Sequence, residues 1–261
     1  MCRILGYLGT STHLDRLLNK PEHSLIVQSY QPHEMTAGLL NADGFGVGWY
    51  DAPETEPYRY RNTLPIWNDM NLPSLSRYVK SGCMLANVRS ATPGLPVDLS
   101  NCQPFQYKHL LGMHNGSIEQ FRKTLYRPLR DRLCDAAYQT IEGCTDSEHI
   151  FALLLHELEQ NPKSLTAALY QVLTMLRDLA APEAIPLSAN LLISDGKQLV
   201  ASRVAVNTTT PSLYWLRDDP MFPEAVLIAS EPLFAGDWKS CPESSLITVS
   251  PSLEVEISSF A

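Results

Sequence analysis

Met1-Cys-Arg-Ile-Leu-Gly-Tyr-Leu8 opens the chain. Residues 3–8 make a short apolar run with strand character, and a thiol stands at its tip. If Met1 is removed, Cys2 carries a thiol and a free α-amine on one carbon framework. The reference pKa is ~8.5 for the thiol and ~7.7–8.0 for the amine. The amine can therefore accept the thiol proton near neutral pH, directly or through one water. No separate histidine is needed for this nucleophile–base pair. A thiol before a strand is in most proteins only packing, so the chemistry depends on what else the chain supplies.

Further apolar runs of strand character follow at Phe45–Tyr50, Met84–Val88, Leu110–Met113, Asn190–Ser194, Leu199–Arg203, Ala225–Ala229, Leu246–Val249 and Leu253–Ile257. Gly, Pro, Asn, Asp or Ser bound most of them. Asp195-Gly196 lies between two runs and predicts a tight hairpin turn. Leu253-Glu-Val-Glu-Ile257 alternates, which suits a strand with one wet face. The spacing of apolar residues predicts helices over Ser147–Gln160, capped by Asp146, and over Ser164–Ala180. Weaker helical patterns cover Ser11–Asn19 and Asn71–Lys80. Residues 51–66 and 205–223 are Pro-rich and read as irregular surface excursions. Strands at both ends with helices between them predict an α+β fold with largely antiparallel sheets.

Composition narrows the function classes. Of 261 residues, 44% are apolar and 18% charged, with Lys+Arg 20 against Asp+Glu 28 and a net charge of −8. This is enough for one large domain, expected to span residues 1–261, and too apolar for disorder. An acidic balance with no basic block argues against nucleic acid or an anionic membrane as partner. No apolar run approaches the ~20 residues that span a bilayer, and no signal pattern opens the chain. A cytoplasmic protein is expected. Cys2, Cys83, Cys102, Cys134, Cys144 and Cys241 are scattered without C-x-x-C spacing, so five read as small hydrophobes in a reducing compartment.

The remaining candidates are few. Asn41-Ala-Asp-Gly-Phe-Gly-Val-Gly48 lacks the register of a dinucleotide fingerprint and the Lys of a phosphate loop. It reads as a turn entering a strand where backbones approach closely. No histidine or cysteine spacing matches a metal site. His114-Asn115-Gly116 ends an apolar run. If a turn follows, the Asn115 amide and the Gly116 N–H supply two donors for the oxyanion of a tetrahedral intermediate. Arg89, in Arg89-Ser-Ala-Thr92, can hold a carboxylate in fork geometry. Asp146, in Thr145-Asp-Ser-Glu148, is either a helix cap or a carboxylate for an ammonium group.

Taken in order, these segments resemble the class II glutamine amidotransferases of the Ntn-hydrolase superfamily. The carrying motifs are Met-Cys2-Arg-Ile-Leu-Gly6, Asn-Ala-Asp-Gly-Phe-Gly-Val-Gly-Trp49, Val-Arg-Ser-Ala-Thr92, Asn101-Cys-Gln-Pro-Phe105, His-Asn-Gly116 and Thr-Asp-Ser-Glu148. They cover about the first 155 residues; Ala-Ser-Glu-Pro-Leu233 fits the second half more weakly. The resemblance implies a four-layer αββα sandwich of two antiparallel sheets. It implies Cys2 as nucleophile, Asn115 and Gly116 as oxyanion hole, Arg89 on the glutamyl α-carboxylate and Asp146 on the α-ammonium. Thr92 and Gly44 become pocket neighbours. No metal and no organic cofactor enters these steps.

Room for an ammonia-consuming domain is lacking in these 261 residues. The Met-Cys-Arg start, Val27-Gln-Ser-Tyr30, Pro65-Ile-Trp-Asn-Asp69 and Arg89-Ser-Ala-Thr92 are similar to a single-domain branch, the γ-glutamyl amidases of ergothioneine biosynthesis. These hydrolyse γ-glutamyl-hercynylcysteine sulfoxide to hercynylcysteine sulfoxide and glutamate. The cationic leaving group would suit aromatic and acidic residues, with Trp49, Trp67, Tyr30 and Asp69 as candidates by type. Two other expectations stay open: a glutaminase subunit feeding a synthase in trans, and an inactive glutamyl-binding scaffold. The oligomeric state is left open, a homo-oligomer included.

Overall fold

The computed structural model describes residues 1–35, 38–52, 54–92, 94–160 and 164–261. Its strands are β1 (Arg3–His13), β2 (Phe45–Trp49), β3 (Tyr58–Asn62), β4 (Lys80–Val88), β5 (Phe105–Tyr107), β6 (Leu110–Ile118), β7 (Leu187–Ser194), β8 (Leu199–Val206), β9 (Tyr214–Asp219), β10 (Phe222–Ala229), β11 (Lys239–Ser240), β12 (Ser245–Val249) and β13 (Val255–Ser259). Its helices are α1 (Asp15–Leu18), α2 (Leu25–Tyr30), α3 (Leu72–Tyr78), α4 (Tyr126–Arg130), α5 (Asp135–Tyr138), α6 (Asp146–Gln160) and α7 (Leu165–Ala180). One sheet has the order β11-β9-β10-β1-β4-β2-β3 and the other β13-β12-β8-β7-β6-β5. Every recorded strand pair is antiparallel.

Three apolar layers hold the sandwich. Ile4, Leu8, Leu85, Leu111, Met113, Leu192, Val226, Ile228 and Ile247 fill the space between the sheets. Leu5, Tyr7, Met84, Ala86 and Leu227 face the other way, onto α1–α3. Leu191 and Ile193 face α6 and α7, whose Phe151, Leu154, Leu169, Val172 and Leu176 form the outer layer. Central strands are therefore buried on both faces, and β1 reads as a continuous apolar run for that reason. Each fully buried Leu, Ile or Phe contributes about 1.5–3 kcal/mol relative to exposure. The order helices, sheet, sheet, helices is the αββα sandwich expected. Among the described residues, no helix is long and apolar enough to cross a membrane.

Several local expectations are corrected. Ser11–His13 is strand, not helix, because Thr12 and His13 pair with Ser81 and Lys80 of β4 across a register irregularity. Only the four residues of α1 remain helical there. The supposed excursions hold β3, β9 and the start of β10. Tyr58 packs on Trp49 with centroids 4.9 Å apart, and Trp215 pairs with Ile228. Cross-strand aromatic contacts outweigh the nearby prolines. Asn115-Gly116 is not a turn: both lie inside β6, opposite Asn190 and Ala189 of β7. The last strand begins at Val255, since Leu253 sits in a turn at φ +62°.

The candidate active site

Strand alternation decides which side chains meet. On β1, Ile4 faces the inter-sheet layer and Leu5 the helices, so Cys2 falls on the inter-sheet side and Arg3 on the helix side. On β6, Leu111 and Met113 face the same layer from the opposite sheet, so Asn115 does too. On β4, Cys83 and Leu85 share that face, which carries Asn87 and Arg89 with them. The end of the sandwich that holds Cys2 thus gathers polar side chains within an otherwise apolar layer.

Asn115 is fully buried. Its Nδ2 lies 3.5 Å from Ser230 Oγ, and Ser230 Oγ accepts the Ile4 N–H at 3.0 Å. The proposed oxyanion amide is therefore tied to β1 two residues from Cys2. The Asn115 Oδ1 has no hydrogen-bond partner among the described residues, and neither has either amide atom of Asn87. Gly116 has no room for a side chain: a Cβ would collide with the Ser188 carbonyl and with His114 Nε2. On the β6 edge, His114 N donates to Gln103 Oε1 at 2.6 Å and Ile118 N to Asp146 Oδ2 at 2.7 Å. By the two-residue period of a strand, the Gly116 N–H projects between them.

Arg89 continues the ladder beyond β4. Its N–H donates to Gly44 O at 2.8 Å, its carbonyl accepts Asp43 N–H at 3.0 Å, and its Nη1 donates to Asp43 O at 3.1 Å. The side chain is buried, and among the described residues no carboxylate forms an ion pair with it. A desolvated guanidinium with backbone partners suits an incoming carboxylate. Gly44 has φ +108°, and a Cβ there would stand 2.6 Å from Cys102 Sγ, so the close approach expected of this turn is present. Thr92 is exposed on the loop beyond Arg89. Burial lowers the pKa of the Met1 amine, Arg3 adds to this, and Cys2 and Asp43 oppose it.

Asp146 is the first residue of α6, not its cap. The cap is Thr145, whose Oγ1 accepts Glu148 N–H at 3.3 Å. This is one half of a capping box; the Glu148 carboxylate instead takes the Glu142 and Gly143 amides at 2.8 Å each. The Asp146 carboxylate binds Ile118 N and, at 2.8 Å, Ser147 N. It therefore pins the end of β6 beside Asn115 and Gly116. His114 is buried between β6 and α6. Its Nε2 donates to Ser188 O at 3.0 Å, so its Nδ1 accepts from Ser147 Oγ at 2.9 Å. Burial pushes its pKa down, against Asp146 and the Ser188 carbonyl, so it serves as a neutral structural bridge.

Sequence reasoning did not anticipate Glu231. It is buried on the helix side and binds Arg3 Nε at 3.3 Å, His23 Nε2 at 2.7 Å, His33 N at 2.9 Å and Glu34 N at 3.0 Å. Burial alone would raise its pKa, but these donors and the Arg3 charge hold it down at about 2. Glu231 so anchors the loop leading to Asp43 and Gly44 onto the residue next to Cys2. His23, His33 and Glu231 have ligand-type atoms within 4.8 Å of one another. The carboxylate already accepts hydrogen bonds from His23, His33 N and Glu34 N and pairs with the Arg3 guanidinium, and the two imidazoles stack at 3.9 Å and 7°. The arrangement joins the Arg3–Glu231 ion pair to a hydrogen-bonded His23 with His33 stacked on it. Its only sequence trace was the Ala-Ser-Glu-Pro-Leu233 motif.

Of the aromatic candidates, Trp49 is packed against Tyr58 and the helix-side core. The Asp69 carboxylate is taken by Tyr60, Asn62 and the amides of Asn71 and Leu72. Tyr30 and Trp67 remain exposed and meet edge to face at 5.8 Å. All six cysteines are free; Cys83, Cys102 and Cys241 are buried.

The model for glutamine amidotransferases class-II matches residues 18–231. A probable glutamine amidotransferase, DUG3, of Saccharomyces cerevisiae is 31% identical over 95% of this chain and 82% of its own length. A gamma-glutamyl-hercynylcysteine sulfoxide hydrolase of Mycolicibacterium smegmatis is 32% identical over 95% of this chain and 96% of its own. The same-named Mycobacterium tuberculosis protein is 41% identical over 52% of this chain and 58% of its own. A solved class-II domain protein from Silicibacter pomeroyi superposes with a TM-score of 0.72 at 26% identity, covering 100% of both chains. With this family match spanning most of the chain, and with two relatives aligned over 95% of it, the protein belongs to the class-II glutamine amidotransferases and is an amide-hydrolysing enzyme.

Proposed function

We propose that the chain is an N-terminal-cysteine amidase that hydrolyses a γ-glutamyl amide, with γ-glutamyl-hercynylcysteine sulfoxide as its substrate. The observation that carries this reading is the convergence of Cys2, Asn115 and Arg89 on one end of the inter-sheet layer. Removal of Met1 frees the Cys2 α-amine, which takes the thiol proton. The thiolate attacks the γ-carbonyl carbon, and the oxyanion is met by Asn115 Nδ2 and Gly116 N–H. Each such donor is worth ~2.7–4 kcal/mol when removed from other enzymes. The ammonium returns its proton to the leaving nitrogen, the C–N bond breaks and a γ-glutamyl thioester remains. The amine then activates water, which cleaves the thioester to glutamate and the free thiol.

Arg89 binds the substrate α-carboxylate and Asp146 its α-ammonium, aligning the side-chain carbonyl with the sulfur. The name of the mycobacterial relatives supports the leaving group. The exposed Tyr30–Trp67 pair offers its trimethylammonium an aromatic surface. The yeast relative's name favours a second reading, in which glutamine is the substrate and a partner takes the ammonia. A substrate panel separates them: release of glutamate from the sulfoxide substrate at a kcat/KM well above that with glutamine is expected. Preference for glutamine would establish the second reading. Full activity with Met1 retained on intact-mass analysis would defeat the mechanism, because the base would then be an amide.

A further inference from the structure

Resting on the thiol-amidase reading, we propose that Ser230 is a positioning residue whose hydroxyl turns the Asn115 amide so that Nδ2 meets the oxyanion.

Ser230 lies one residue beyond β10 and is fully buried. Its N–H donates to Ile4 O at 3.0 Å, as a ladder residue would. Its carbonyl is taken by Ser212 Oγ at 2.8 Å. The Ile4 N–H bonds to the Ser230 hydroxyl oxygen instead, at 3.0 Å. That oxygen is thus an acceptor on one side, and its single proton is left to donate.

The group in reach of that proton is the Asn115 amide, 3.5 Å away. With Nδ2 towards Ser230, the Ser230 proton meets a donor rather than an acceptor, and Oδ1 is buried without a partner among the described residues. A half-turn of the amide resolves both. Oδ1 then accepts the Ser230 proton, and Nδ2 occupies the place Oδ1 held. A carbonyl oxygen in that place would repel a developing oxyanion, whereas an N–H stabilises it. One hydroxyl therefore registers the nucleophile strand, through Ile4, against the oxyanion donor on the opposite sheet.

The test measures kcat and KM for glutamate release from a γ-glutamyl amide that the wild type turns over. Variants are Ser230→Ala, Ser230→Thr, Ser230→Cys, Asn115→Ala and Ser230→Ala with Asn115→Ala. Ser230→Ala is expected to lower kcat about tenfold to a hundredfold, with KM within about twofold. Ser230→Thr, which keeps the hydroxyl, is expected to stay near wild type; Ser230→Cys, of similar size but a weak donor, is expected to be slow. The double variant is expected to be no slower than Asn115→Ala alone. Unchanged kcat in Ser230→Ala overturns the proposal. So does a loss that multiplies with that of Asn115→Ala, or a Thr variant as slow as the Cys variant. A Ser230→Ala chain that fails to fold leaves the Thr–Cys comparison to decide. A wild type that releases no glutamate overturns the amidase reading and the proposal with it, a failure distinct from the others.

Discussion

The two ends of the inter-sheet layer are built on opposite principles. Away from Cys2, Leu8, Leu85, Leu199, Ile247 and Val249 fill it with hydrocarbon. At the Cys2 end, the same strands and the same pleat deliver Asn87, Arg89, Asn115, Asn190 and Ser230, all buried. The apolar part holds the sheets together. The polar part leaves amide atoms of Asn87, Asn115 and Asn190 without partners among the described residues. Each such atom costs about 1–3 kcal/mol when buried and unsatisfied. Native proteins tolerate few of them, so a cluster beside Cys2 suits a place kept for the proposed chemistry at the expense of stability.

This contrast can be broken by substitution. The largest effect is expected for Cys2→Ala: glutamate release should fall at least about 10⁴-fold, with an unchanged melting temperature. Asn115→Ala should lower kcat about 10²–10³-fold. Its stability should hold or rise, because a buried amide atom without a partner disappears with the side chain. Leu192→Ala, in the apolar part of the layer, should do the reverse. It should cost about 2–5 kcal/mol in urea unfolding, while the folded fraction keeps its kcat. If Asn115→Ala unfolds the protein, or Leu192→Ala abolishes turnover in folded protein, the two ends do not differ as described.

Glu231→Gln probes the helix-side anchor. The Glu231 carboxylate titrates at about 2 in the folded protein. Its contribution is therefore fully present above the ordinary glutamate value of ~4.3 and is lost as pH falls from there towards 2. The variant should be less stable by on the order of 2 kcal/mol at pH 7, and the gap should narrow in melting curves taken near pH 3 and close only towards pH 2. The smallest effect is expected for Asp43→Asn. In the chain that keeps Met1, burial lowers the pKa of the Met1 amine and the Asp43 charge opposes that; on the proposed mechanism the Cys2 amine takes that neighbourhood once Met1 is removed. Removing the charge should lower it further. The acid limb of kcat/KM should shift to lower pH by less than about one unit. A shift to higher pH would mean that Asp43 does not face the amine.

Much of this was legible in advance where the signal is local. The apolar runs located most core strands, and α6 and α7 appeared from their helical spacing. Cys2, Arg89, Asn115 and Asp146 could be picked out by side-chain chemistry and motif order. β3, at one edge of its sheet, and β9, between β10 and the two-residue β11, were hidden because proline-rich surroundings mask strands whose support comes from a neighbour. Asn115-Gly116 imitates a turn until β7 is there to pair with it. Thr145 rather than Asp146 caps α6, because the aspartate is drawn to Ile118 N, which only the packing of α6 on β6 brings near.

What the sequence determined by itself was the alternation. Cys2 shares a face with Ile4, Asn115 with Met113, and Arg89 with Leu85, because the side chains of a strand repeat every two residues. Which faces confront each other was decided by tertiary structure. Ser230 reaches Ile4 across 226 positions of chain and Glu231 reaches His23 across 208. No local propensity encodes such contacts. They exist because two sheets, each with an apolar face, must bury those faces together.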